Sequence, residues 1–123
     1  MARILVVDDE EPIRAMLRAV LELEGYEVME AANGAEGLRR YQGAPTDLVI
    51  TDLQMPVMDG LALLRELRRA FPWVKVLAMS GNWRMLRQAR PLTPYTLEKP
   101  LSLALVRATV SRALQYGRGD QVP

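Results

Sequence analysis

Short apolar runs alternate with longer amphipathic stretches along this chain. Residues 3–7 form a nearly continuous aliphatic run, as expected for a strand that is buried on both faces of a sheet. Shorter or less complete runs of the same kind predict four further strands. These cover residues 26–31, 48–51, 74–79 and 96–98.

Between these runs, apolar residues recur every three or four positions, which is the spacing of a helix with one buried face. Pro12 stands where the first turn of a helix tolerates proline, and Gly25 marks the end of that helix. The fourth helix is predicted to be short because Pro91 and Pro94 follow it closely. The predicted helices cover residues 12–24, 35–42, 61–71, 84–89 and 103–114.

The alternation of strands and helices predicts an α/β fold, a three-layer sandwich with a doubly wound, five-stranded parallel sheet at its centre. The chain has 123 residues and 50% of them are hydrophobic, which is typical of one globular domain with a substantial core. We expect this domain to cover residues 1–116 and residues 117–123 to form a flexible tail.

Charged and hydroxyl side chains follow four of the five predicted strands, at the point where each strand ends. Asp8 and Asp9 follow the first strand, Asp52 the third, Ser80 the fourth and Lys99 the last. Because the carboxyl ends of parallel strands meet at one edge of a sheet, we expect these groups to converge there. Three carboxylates at close range repel one another and require a cation. Lys99 supplies one positive charge, and a divalent metal would supply more.

The composition narrows the choice of that metal. The chain contains no cysteine and no histidine, so the thiolate and imidazole ligands of transition metals are absent. The remaining oxygen ligands suit a hard cation such as Mg²⁺. The formal net charge of +1 gives no argument for binding nucleic acid or a membrane surface. No apolar run approaches the roughly 20 residues of a membrane span, and nothing resembles a signal peptide, so we expect a cytoplasmic protein.

The turn after the first strand separates two classes of site. A nucleotide or flavin site would place glycines there, whereas this chain places the four acids of residues 8–11. Those charges would repel a phosphate group unless a metal intervened. A simpler alternative is that Asp8 or Asp9 only caps the first helix, while Glu10 and Glu11 complement its dipole.

The segment of residues 52–60, with the sequence DLQMPVMDG, resembles the signature of response-regulator receiver domains, the phosphoacceptor partners of sensor histidine kinases. Three further pairs match the other marks of this family, in the same order and at the same strand ends. They are Asp8-Asp9, Ser80-Gly81 and Lys99-Pro100. The resemblance covers nearly the whole predicted domain, and it implies the flavodoxin-like strand order 2-1-3-4-5.

The resemblance also implies a role for each residue. Asp52 would be the nucleophile that accepts a phosphoryl group from a phosphohistidine. Lys99 would pair with Asp52 and then with the phosphoryl group, and Ser80 would hydrogen-bond a phosphoryl oxygen. Mg²⁺ would be the cofactor, and its implied ligands are Asp9, Asp52 and the backbone carbonyl of Gln54, with Asp8 acting mainly through a water.

The implied partners are a sensor histidine kinase or phosphotransfer protein and an unknown downstream target protein, without direct binding to nucleic acid or membrane. The chain would catalyse only its own phosphorylation and dephosphorylation, and it would signal through a conformational switch. Gln54 and Asn82 stand where they could orient or block a hydrolytic water, and the sequence leaves both effects open. Asp59 is predicted to be the N-cap of the third helix.

One position departs from the family pattern. Relatives usually carry an aromatic residue three positions before the lysine, and here that position is Thr96, while Tyr95 is expected on the opposite face of the strand. The segment between Ser80 and Lys99 is also about one helical turn shorter than usual. We therefore predict an intact site with an unusual readout, to which Trp83 could contribute. The alternatives are a phosphorylation-independent receiver-like adaptor and, less favoured, an acid-metal phosphatase.

Overall fold

The computed structural model describes residues 1–115, in which five strands and five helices alternate along the chain. The strands are β1 (Arg3–Val7), β2 (Glu27–Ala31), β3 (Leu48–Asp52), β4 (Val76–Ser80) and β5 (Tyr95–Glu98). The helices are α1 (Glu11–Leu23), α2 (Gly34–Gly43), α3 (Gly60–Ala70), α4 (Trp83–Ala89) and α5 (Leu103–Gln115). The predicted tail at 117–123 lies outside the described residues.

All five strands are parallel and form one sheet in the order β2-β1-β3-β4-β5, which confirms the predicted fold class and order. The register places Val7 beside Thr51 and Thr51 beside Ala78. Since Asp8 and Asp52 directly follow two of these neighbours, their side chains leave adjacent strands at the same level. The register therefore brings the predicted site residues to one edge of the sheet.

The sheet lies between two apolar layers, as a three-layer sandwich requires. Alternate residues of the strands point to opposite faces. Leu5 and Val7 pack toward α2, α3 and α4, while Ile4 and Val6 pack toward α1 and α5. Every residue of β3 and β4 is buried, which explains why these strands show no polar alternation in the sequence.

Side-chain caps that their sequences favour begin α2, α3 and α4, and α5 begins in the same way, since Ser102 Oγ accepts a hydrogen bond from the Leu105 N–H at 3.2 Å. The Asn33 carboxamide accepts a hydrogen bond from the Glu36 N–H at 2.9 Å, and the Asp59 carboxylate accepts one from the Ala62 N–H at 2.8 Å, as predicted. The Asn82 carboxamide accepts one from the Arg84 N–H at 2.9 Å. These caps fix where α2, α3 and α4 start, and α3 and α4 start directly beside the predicted site.

The structure moves some predicted boundaries by one or two residues. The fourth strand starts at Val76 and not at Val74, because the Val74 N–H bonds back to the Phe71 carbonyl at 2.9 Å in a turn. The fourth helix has seven residues, as short as predicted. Tyr95 is buried against the α1 and α5 layer, on the face opposite Thr96, which confirms that no aromatic ring occupies the usual position on β5.

Within residues 1–115, none of the helices has the length and apolar character that crossing a membrane would require.

Candidate functional site

Four carboxylates converge at the carboxyl ends of β1 and β3. One carboxylate oxygen each from Asp8, Asp9, Glu10 and Asp52 lies within 4.8 Å of the other three. Asp8 and Asp52 are buried and form the floor of the cluster, which is closed to solvent. Asp9 and Glu10 are exposed and form its rim, which is open to solvent. Carboxylate oxygens suit Mg²⁺, and because this ion binds through few carboxylates and keeps several waters, only part of the cluster would contact it directly.

Asp8 forms the fixed floor of this acidic cluster. Its backbone N–H bonds to the Ala31 carbonyl at 3.1 Å, and its Oδ1 accepts a hydrogen bond from the Glu10 N–H at 2.9 Å. Its Oδ2 accepts a hydrogen bond from Lys99 Nζ at 3.2 Å. The N-cap position of α1 is Glu10, without any side-chain cap, so the alternative that Asp8 or Asp9 serves only as that cap is wrong.

Lys99 reaches the cluster from the end of β5. Its Nζ lies 3.2 Å from Asp8 Oδ2, 3.4 Å from Asp52 Oδ2 and 3.8 Å from Glu10 Oε1. Burial alone would lower the pKa of the Lys99 ammonium, but attraction by Asp8 and Asp52 outweighs it, and the pKa lies above its ordinary value. Lys99 therefore stays charged at neutral pH and neutralises part of the cluster. The predicted pairing with Asp52 is present but shared with Asp8.

Asp52 is only 5% exposed and lies at the end of a fully buried strand. Burial raises its pKa above the usual range and Asp8 adds to this effect, while Lys99 and the Gln54 N–H act in the opposite direction. The Gln54 N–H donates to Asp52 Oδ1 at 3.3 Å. Asp52 is therefore a more basic carboxylate than an exposed aspartate, which favours it as a nucleophile.

Ser80 ends β4 beside this cluster and is fully buried. Its Oγ accepts a hydrogen bond from the Asn82 N–H at 3.0 Å, and its carbonyl accepts one from the Lys99 N–H at 3.0 Å. The second bond ties the end of β4 to the residue that carries the ammonium. The peptide bond between Lys99 and Pro100 is cis.

Two glycines determine the path of the loop between β3 and α3. The Gly34 N–H donates to the Met58 carbonyl at 2.9 Å, and a Cβ at residue 34 would lie 2.3 Å from that oxygen. A Cβ at Gly60 would lie 1.7 Å from the Asp52 carbonyl oxygen. No such contact is tolerated in folded proteins, so only glycine lets this loop close over the end of β3.

The structure adds residues that the sequence interpretation did not assign to the site. Glu10 belongs to the acidic cluster, although the sequence gave it only a role toward the helix dipole. Arg14 Nη1 donates to the Asp8 carbonyl at 2.7 Å. Asn82, which the sequence placed where it could orient or block a hydrolytic water, is the N-cap of α4, and its side-chain oxygen accepts a hydrogen bond from the Arg84 N–H. Trp83 is 56% exposed, and the Cζ atom of the Arg84 guanidinium lies over its ring, 5.3 Å from the ring centroid.

Residues 4–111 match the family model of the response regulator receiver domain. The chain belongs to this family. Phosphorylation on an aspartate and binding of Mg²⁺ are general properties of its members, which act as receiver domains of two-component response regulators. The strand order and the acidic cluster described above agree with this assignment.

Relatives and solved structures support the same family. The chain is 32% identical to sporulation initiation phosphotransferase F of Bacillus subtilis over 91% of this chain and 93% of that protein. It is 38% identical to the sensor kinase CckA of Brucella abortus over 93% of this chain but only 13% of that protein. The response regulator TrrA of Thermotoga maritima, crystallised in complex with Mg²⁺ and BeF, superposes with a TM-score of 0.87 at 32% identity, covering 93% of this chain and all of that one.

Proposed function

We propose that Asp52 of this receiver domain accepts a phosphoryl group from the phosphohistidine of a sensor histidine kinase or phosphotransfer protein, in a reaction that depends on Mg²⁺. One observation carries the proposal. A nearly buried carboxylate of raised pKa lies 3.4 Å from an ammonium and within 4.8 Å of three other carboxylates, at the ligand-binding edge of the sheet.

The covalent step needs little from the protein beyond position and charge. A carboxylate oxygen of Asp52 attacks the phosphorus, an O–P bond forms, the P–N bond of the phosphohistidine breaks, and its electron pair stays on the imidazole nitrogen. Bound Mg²⁺ would supply positive charge for the phosphoryl oxygens. The result is an aspartyl phosphate, and the chain thus catalyses only its own phosphorylation and the later hydrolysis.

The metal would be held at the acidic cluster. We assign Asp8, Asp9, Asp52 and the backbone carbonyl of Gln54 to it, with Asp8 in an indirect role through a water. The exposed carboxylates at the rim leave room for the waters that Mg²⁺ retains. Glu10 adds one negative charge to this rim and increases its attraction for a divalent cation.

Two further groups would bind the phosphoryl oxygens. The Lys99 ammonium lies between Asp8 and Asp52, and its flexible stem lets it turn from one carboxylate to the new phosphoryl group. The buried Ser80 hydroxyl lies at the end of the neighbouring strand and would donate a hydrogen bond to the same group. Movement of Ser80 would carry the signal into α4, because Asn82 joins both.

We infer that the domain covers residues 1–116, acts in the cytoplasm and passes its signal to a downstream protein through a shift between two conformations. The chain spans 93% of the length of phosphotransferase F but only 50% of the length of the transcriptional regulator ResD of Bacillus subtilis. The kinase and the downstream protein are therefore proposed as partners of the receiver domain alone. Thr96 favours one alternative, a receiver-like adaptor that works without phosphorylation, because this position of β5 lacks the aromatic residue of the usual switch and Tyr95 lies on the opposite face.

The test is to incubate the protein with Mg²⁺ and acetyl phosphate and to measure its intact mass. We expect one added phosphoryl group in the wild type and in Asp59→Asn, since asparagine keeps the helix cap at a position outside the acidic cluster. We expect no adduct in Asp52→Asn. A wild type that gains no mass under conditions where it is folded would favour the adaptor and contradict this proposal.

A further inference from the structure

The side chain of Arg14 reaches from the first turns of α1 back to the acidic cluster. Its Nη1 donates to the Asp8 carbonyl at 2.7 Å, and its Nε donates to Glu30 Oε1 at 3.1 Å. The Arg14 side chain is only 15% exposed and that of Glu30 27%. One guanidinium therefore connects Glu30, near the end of β2, to the backbone between Asp8 and Asp9.

The hydrogen bond from Arg14 is made to the peptide group that joins Asp8 and Asp9. The carbonyl of Asp8 and the N–H of Asp9 belong to one rigid peptide plane. Around this plane, the Asp8 N–H is bonded to the Ala31 carbonyl, and the Asp8 carboxylate accepts hydrogen bonds from the Glu10 N–H and from Lys99. Arg14 bonds to the carbonyl oxygen of the plane itself and so restrains the direction in which Asp9 leaves the strand.

We propose that Arg14, oriented by Glu30, is a positioning residue that holds the Asp8–Asp9 peptide plane in the geometry needed for Mg²⁺ binding. This inference rests on the proposed function. Four carboxylates within 4.8 Å repel one another, so without a restraint the exposed members turn away from the cluster. The charge-assisted bond from Arg14 resists that movement, in the way that outer residues orient the ligands of other metal sites.

Arg18 provides a matched control on the same helix. It shares Glu30 with Arg14 and also bonds to Glu22 and to the Val28 carbonyl. Within the described residues it has no hydrogen bond or ion pair to Asp8, Asp9 or Asp52. Loss of Arg18 therefore removes a comparable part of the ion-pair network while leaving the Asp8 carbonyl bond in place.

The experiment is a calorimetric titration of the metal-free protein with Mg²⁺, at a temperature where each variant is shown to be folded. We expect Arg14→Gln to weaken Mg²⁺ binding about tenfold and Arg18→Gln by less than about twofold. Arg14→Lys keeps the charge but lacks the rigid planar group whose Nε and Nη1 reach Glu30 and the Asp8 carbonyl in fixed directions, so we expect it to restore less than half of the lost affinity. Glu30→Gln, which loosens Arg14 without removing it, should weaken binding about threefold.

A second readout needs no metal. The Glu10 N–H is protected by its bond to Asp8 Oδ1, and its hydrogen exchange in the metal-free protein should be faster in Arg14→Gln than in Arg18→Gln. Equal Mg²⁺ affinities and equal exchange in these two variants would contradict the inference, as would full rescue by Arg14→Lys. If Arg14→Gln does not fold, unchanged affinity in both Arg14→Lys and Glu30→Gln would contradict it. A wild type that binds no Mg²⁺ would instead contradict the proposed function.

Discussion

Lys99 Nζ lies nearer to the buried carboxylate of Asp8, at 3.2 Å, than to the proposed phosphoacceptor, at 3.4 Å. The ammonium of Lys99 is therefore shared between the proposed phosphoacceptor and an acid that takes no part in the covalent step. This arrangement leaves the Asp52 carboxylate only partly neutralised and keeps the ammonium within reach of an incoming phosphoryl group. It also makes Lys99 the residue whose loss exposes the repulsion among the carboxylates.

Replacement of Lys99 by glutamine is expected to destabilise the metal-free protein by about 2 kcal/mol, less than for a fully buried pair because the lysine side chain is 19% exposed. The reason is that Asp8 and Asp52 lose their shared counter-ion. Urea unfolding at pH 7 measures the change, and added Mg²⁺ should recover more stability in this variant than in the wild type. Arg65→Gln, which removes an exposed cation on α3, is the control, and an equal loss there would contradict the role given to Lys99.

The raised pKa of Asp52 predicts how the Asp52→Asn variant behaves with pH. Burial makes this carboxyl harder to ionise in the folded than in the unfolded state, so its charge costs stability above its folded pKa. Asp52→Asn should therefore unfold at a higher temperature than the metal-free wild type at pH 7. The gain should shrink as the pH falls through the folded pKa, where the wild-type carboxyl becomes neutral. A variant less stable than the wild type at pH 7 would contradict this interpretation.

Gly34→Ala is expected to destabilise the protein by about 2 kcal/mol and to slow phosphorylation. The new methyl group would lie 2.3 Å from the Met58 carbonyl and would displace the loop that follows Asp52. Gly43→Ala, at the other end of the same helix, meets nothing within 4 Å and is the control. We expect it to be neutral or stabilising in a thermal melt, and a similar loss in both variants would argue against the loop contact.

A residue of the same loop is strained. Val57 has φ of 69°, a conformation that a β-branched residue rarely adopts, and its side chain is 82% exposed. Val57→Asn should stabilise the protein by about 1 kcal/mol, because asparagine tolerates this conformation and little apolar burial is lost. Val57→Thr keeps the branched Cβ and should bring no such gain in chemical denaturation. If Val57→Asn is no more stable than Val57→Thr, the conclusion that the backbone at Val57 is strained would be contradicted.

The sequence was sufficient for the fold and for the convergence of Asp8, Asp52, Ser80 and Lys99. Buried parallel strands are recognisable in a sequence as short, continuous apolar runs. The carboxyl ends of such strands meet at one edge of the sheet, whichever residues stand there. Local caps such as Asp59 were also predictable, since the cap and its partner lie within three positions.

The remaining features depend on contacts between distant segments. The Arg14 bond to the Asp8 carbonyl follows from the path of a long side chain, and the Gly34 contact with Met58 joins the start of α2 to the loop between β3 and α3. Neither contact has a local signature in sequence. The sharing of Lys99 between Asp8, at 3.2 Å, and Asp52, at 3.4 Å, was also not predicted, because it depends on how the whole edge of the sheet packs.

The central claim is that Asp52 is the phosphoacceptor, and mapping the modified residue tests it most directly. The protein is phosphorylated with acetyl phosphate and Mg²⁺, the acyl phosphate is reduced with borohydride, and the resulting homoserine is located by peptide sequencing in a mass spectrometer. We predict homoserine at position 52 alone, and none in Asp52→Asn. Homoserine at Asp8, Asp9 or another carboxylate, with position 52 unmodified, would contradict the assignment.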